Sequence, residues 1–100
     1  LHLPEAMAAS SEEIPYTRHG DQWAVTIELS RAEPEQVYII FKLADNINQS
    51  PKSIFFFKGD ETHPRWELPE INDGVIQLIS DRHSDLVKLL MDPKTEAYLW

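Results

Sequence analysis

Hydrophobic and polar positions alternate along this chain in short runs broken by prolines, glycines and polar turns. The clearest run is WAVTIEL, where Trp23, Val25, Ile27 and Leu29 fall on one side and Ala24, Thr26 and Glu28 on the other. That period of two predicts a strand with one buried face. A charged turn over residues 30–36 leads into VYIIFKL at 37–43, where two readings compete. Val37, Ile40, Phe41, Ala44 and Ile47 trace a helical stripe, and Ser30 with Glu33 resembles a capping box. Against this, Pro34 falls inside a helix begun at Ser30, and consecutive β-branched and aromatic residues suit a pleated surface. The strand is the preferred reading, and a helix from Pro34 to about Asn48 is the alternative.

After a polar loop over 44–52, which carries the glycosylation sequon Asn48-Gln49-Ser50, comes SIFFFK at 53–58. It is apolar on both sides of the alternation, the pattern of a central strand covered on each face. Gly59-Asp60 marks its exit. RWELPEI at 65–71 reads as a short strand held to an edge, or ended, by Pro69. Asn72-Asp73-Gly74 is a tight-turn signal, so RWELPEI and GVIQLIS at 74–80 are expected to pair as a hairpin.

DRHSDLVKLLMDP contains the one clear helix. Ser80 or Asp81 can cap it, Leu86, Val87, Leu90 and Met91 form its apolar stripe, and Asp92-Pro93 stops it. The tail KTEAYLW places Tyr98, Leu99 and Trp100 where docking is expected, because exposing two aromatics forgoes their burial. Residues 1–22 hold Pro4, Pro15 and neither period, and read as an N-terminal arm with at most a short helix. The expected fold is therefore α+β: a single domain over 23–100 with a mostly antiparallel sheet of four or five strands, one C-terminal helix packed on it, and the arm.

A chain of 100 residues supports one core. Its formal net charge of −8, from 17 acidic and 9 basic side chains, favours solubility and a partner with a basic surface. It disfavours nucleic acid, whose binding rests on clustered Lys and Arg. Cationic pairs such as Arg65 with Lys58 and Arg82 with Lys88 read as isolated rather than as a stripe. With no cysteine in the chain, disulfides, thiolate metal sites and cysteine nucleophiles are excluded, and the compartment stays open. No apolar run approaches the roughly 18 residues of a membrane span. The chain begins at Leu1, as expected of a processed chain or an excised piece.

Candidate chemistry is sparse. Asp60, Glu61 and His63 put three potential ligands around one turn, but their spacing matches no zinc or calcium pattern, so neither a metal nor a cofactor is expected. Asp81, Arg82, His83, Ser84 and Asp85 include the residue types of a hydrolytic triad, yet consecutive residues at a helix start diverge, and capping explains them better. The glycines Gly20, Gly59 and Gly74 stand too far apart for a phosphate loop. Enzymatic use of His63 or His83 is thus the minor reading. A carrier or sensor with an aromatic pocket between helix and sheet ranks above it. The leading expectation is non-catalytic binding of another protein, or of a second copy, through an acidic aromatic surface, with Phe55, Phe57, Trp66 and Trp100 as anchors and Asp60 and Glu61 as the acidic rim.

Overall fold

The computed structural model describes residues 1–3, 14–47, 50–59, 61–62 and 64–100. Asp60 and His63, and most of the sequon, lie outside them. Among the described residues are nine strands, in two antiparallel sheets, and one helix: β1 (His2–Leu3), β2 (Tyr16–His19), β3 (Trp23–Leu29), β4 (Gln36–Leu43), β5 (Ser53–Lys58), β6 (Glu61–Thr62), β7 (Trp66–Glu67), β8 (Val75–Asp81), α1 (Asp85–Met91) and β9 (Glu96–Leu99). The first sheet runs β1-β9-β5-β6, with β7 also on β5; the second runs β2-β3-β4-β8. The α+β class expected from the pattern holds, with the strands divided over two sheets.

The second sheet is built where alternation is strongest. Trp23, Val25 and Ile27 of β3 and Val37, Ile39, Phe41 and Leu43 of β4 are buried, opposed as Trp23 to Leu43 and Ile27 to Ile39. VYIIFKL is therefore a strand, as preferred. Leu29 breaks the pattern and is exposed. From the first sheet come Leu3, Ile54, Phe56, Ala97 and Leu99, which join the same hydrophobic cluster, together with Leu86, Val87 and Leu90 of the helix. Both described parts of the stretch expected as an arm enter sheets: β1 pairs with β9, and β2 with β3. Gly20 admits β1, since a Cβ there would stand 2.9 Å from Leu3 Cδ1 and 3.3 Å from the His2 carbonyl.

Three local expectations are corrected. SIFFFK is central, between β9 and the β6 and β7 segments, but only one face is closed: Ile54 and Phe56 are buried while Phe55 and Phe57 remain part-exposed. The helix packs at the inner side, so it does not cover the outer one. The turn at 72–74 forms, with positive φ at Asp73 (54°) and Gly74 (77°), yet the flanking runs part. β7 pairs with β5, and β8 pairs with β4. Pro69 has no N–H to give a ladder, and the chain around it is tied to the 50–52 segment through Leu68 N–H to the Lys52 carbonyl and Ile71 N–H to Ser50 Oγ. Finally, the helix cap is Ser84, whose Oγ accepts from the Val87 N–H, while the Asp81 carboxylate accepts from the His83 N–H. Starting the helix at Asp85 is what sends Leu86, Val87 and Leu90 inward together.

Candidate functional site

The outer face of the first sheet carries the aromatic residues. Strand pairing sets His2 opposite Tyr98 and Tyr98 opposite Phe55, so one row of rings crosses β1, β9 and β5. His2 stacks on Tyr98 at 4.7 Å between centroids and 21° between planes, and Tyr98 on Phe55 at 5.6 Å and 12°. These spacings are close to the inter-strand distance of about 4.8 Å. The stack thus runs across the strands, and His2, Tyr98 and Phe55 turn their faces to one another. Phe57 meets Phe55 and Tyr98 edge-on, at 5.7 and 5.5 Å. The rings cover one another, which is why Phe55, Phe57 and Tyr98 are only part-exposed on an outer face.

At the β1 end of this row a carboxylate adjoins the rings: His2 Nε2 lies 3.6 Å from Glu96 Oε1. At the other end of β9 the ladder continues one pair beyond the strand, because Trp100 N–H donates to the Ser53 carbonyl at 3.0 Å and Ser53 N–H to the Trp100 carbonyl at 3.3 Å. The tail docks through Leu99, 1% exposed, while Trp100 is 78% exposed, a correction to the expectation that both aromatics are covered.

Of the residues expected to bind, Phe55 and Phe57 share one side of the sheet, and Trp100 stands beyond the end of β9, lining a cavity with Leu1, Ile47 and Pro51. Trp66 is not on that side: it packs edge-on against Phe56 at 5.6 Å, on the core side, and is part-buried. Glu61 stands in β6 opposite Lys58, and Asp60 falls outside the described residues. Sequence reasoning missed Tyr98 and His2 as members of the row; the alternation in EAYL, with Ala97 and Leu99 inside, was the available signal for Tyr98.

At the start of the helix, the side chains of Ser84 and Asp81 accept backbone N–H groups. Besides the bonds of Ser84 and Asp81, His83 Nε2 lies 3.7 Å from Glu35 Oε2, both side chains well exposed. The groove that His83 lines, about 710 Å³, is bordered by Lys58, Arg82, Lys88 and Lys94 with Asp92, and no Phe, Tyr or Trp lines it. Cations isolated in sequence are gathered there by the fold. Asp92 sits among them: burial pushes its carboxyl up, but the Lys94 N–H, the Lys58 ammonium and Thr95 act against burial and hold it below the ordinary 3.8. Among the described residues no three metal-ligating side chains converge, and no helix is long and apolar enough to cross a membrane. Comparison with known proteins finds no matching protein family, no similar curated protein and no similar solved structure.

Proposed function

We propose that this domain binds another protein through the outer face of its first sheet, with Phe55, Phe57, Tyr98 and Trp100 as apolar contacts and Glu96 as acidic rim. The observations that carry the reading are the preorganised row of rings on β5 and β9 and, one residue beyond β9, Trp100, an indole 78% exposed. A fixed aromatic anchor loses little side-chain entropy on docking, and exposed aromatics that become buried dominate binding energy. A net charge of −8 favours a partner with a basic surface.

The test uses immobilised domain and a Phe57→Ser/Trp100→Ser variant, each shown folded by circular dichroism, challenged with extract from the source cells. A basic protein retained by the first, lost from the second and released by salt is expected. Equal retention by both, or none by either, overturns the reading.

A further inference from the structure

The groove beside α1 gathers positive charge in an acidic chain. Lys58 closes β5 in the first sheet, Arg82 follows β8 in the second, Lys88 lies on the helix and Lys94 in the turn into β9. All four line one concavity, with Asp92 as the carboxylate among its lining residues. Of the nine Lys and Arg and the seventeen Asp and Glu in the chain, the groove takes four and one, a formal +3, and leaves five and sixteen elsewhere, a formal −11.

The carboxylates at hand are committed to the protein itself. Asp92 accepts from the Lys94 N–H at 2.9 Å and pairs with the Lys58 ammonium at 3.0 Å, so it fixes Lys58 and the 92–94 turn. At the other end, the Asp81 carboxylate accepts from the His83 N–H at 2.7 Å, and Glu35 lies 3.7 Å from His83 Nε2. Asp85 opens the helix three positions before Lys88 without pairing with it. Arg82, Lys88 and Lys94 therefore have no ion-pair partner among the described residues. Arg82 is held in place through its backbone, its N–H donating to the Glu35 carbonyl at 2.8 Å. Between the cations the lining is apolar, with Met91 and Pro93 half-buried.

Cations around an apolar wall suit an anionic head joined to an apolar body, and about 710 Å³ is the volume of a small-molecule site. The charge outside the groove decides between a small anion and a large one. A nucleic acid, an acidic protein or an anionic membrane reaches past the groove and is repelled by the acidic remainder. A molecule confined to the groove is screened from that remainder over about 8 Å at physiological ionic strength and feels the local cations. We infer that this groove binds a small organic dianion, a phosphate ester or a dicarboxylate with a compact apolar body. Arg82, Lys88 and Lys94 meet its charged head, and Met91 and Pro93 its body. None of these residues belongs to the aromatic row, so this site stands or falls apart from that face.

Nuclear magnetic resonance of the isotopically labelled whole chain tests this, by titration with phenyl phosphate, phthalate and inorganic phosphate at constant ionic strength. Saturable amide shifts confined to Lys58 and residues 82–94 are expected with phenyl phosphate, phthalate or both, at a Kd of about 1 mM or tighter. Whichever of the two binds identifies the headgroup. Inorganic phosphate, which has no body, binds more weakly. Lys88→Gln/Lys94→Gln alters only exposed side chains and weakens binding about tenfold. Lys42→Gln/Lys52→Gln removes the same charge from exposed positions outside the groove and leaves affinity within about twofold. No saturable shift below about 10 mM, shifts scattered over the surface, or equal losses in the two variants overturns the inference. So does tighter binding of inorganic phosphate, of oligothymidylate or of an oligoglutamate peptide than of either organic anion.

Discussion

Arg18 of β2 donates a hydrogen bond at 3.0 Å to the carbonyl of Asp92, 74 positions later in the chain. The same buried guanidinium reaches the carbonyls of Leu90 and Thr95, so one side chain of the second sheet closes the end of α1 and the turn into β9. Its two terminal nitrogens divide the work, Nη1 donating to Leu90 and Asp92 and Nη2 to Thr95, a span that an ammonium centred on one nitrogen does not reproduce. Arg18→Lys is expected to cost about 2–3 kcal/mol in urea unfolding, since a point charge on a flexible stem leaves buried carbonyls unserved. A loss under about 0.5 kcal/mol would show that the fork is dispensable.

Asp92 also makes its carboxylate work, accepting from the Lys94 N–H at 2.9 Å and pairing with Lys58 at 3.0 Å. Its folded-state pKa lies below the ordinary 3.8. A depressed acid contributes stability that is fully present above the unfolded value and is lost as pH falls through the folded one. Unfolding midpoints measured from pH 6 downward should therefore fall more steeply below about pH 4 in the wild type than in Asp92→Asn. Parallel curves would remove this role from Asp92.

The two faces of β5 predict unequal penalties. Phe56→Ala empties a site 1% exposed and should cost about 3–5 kcal/mol. Phe57→Ala removes a part-exposed ring held by two edge-on contacts and should cost about 1–2 kcal/mol. Denaturant titrations of the pair check this, and equal losses would mean that the outer face is as closed as the inner.

Ser84→Ala removes the acceptor for the Val87 N–H and is expected to lose about 1 kcal/mol, readable as a lowered thermal midpoint. With a helix of only 7 residues, much of α1 should lose its amide-exchange protection as well. An unchanged midpoint would leave Ser84 without the capping role.

Much of this architecture is written locally. The alternation of WAVTIEL and VYIIFKL, the proline and glycine breaks, and the Asp92-Pro93 stop are decided by side-chain periodicity and backbone sterics, which act over a few residues and can be read from them. Net charge, the absence of cysteine and the aromatic identity of Phe55, Phe57 and Trp100 are likewise properties of the chain. Pairing is different in kind. Asn72-Asp73-Gly74 specifies a turn, but whether RWELPEI and GVIQLIS remain together depends on where else their backbone groups find partners, and the 50–52 segment and β4 outbid the hairpin. The sequence by itself determined β3, β4, β5, β8 and the helix, whereas β1, β2 and β9 lie in stretches whose local pattern did not mark them as strands. Only tertiary structure decided that the strands fall into two sheets, that Tyr98 and His2 join Phe55 in one row while Trp66 turns to the core, and that β8 is left at an edge. Those outcomes rest on contacts between residues far apart in the chain, whose free energy no local pattern contains.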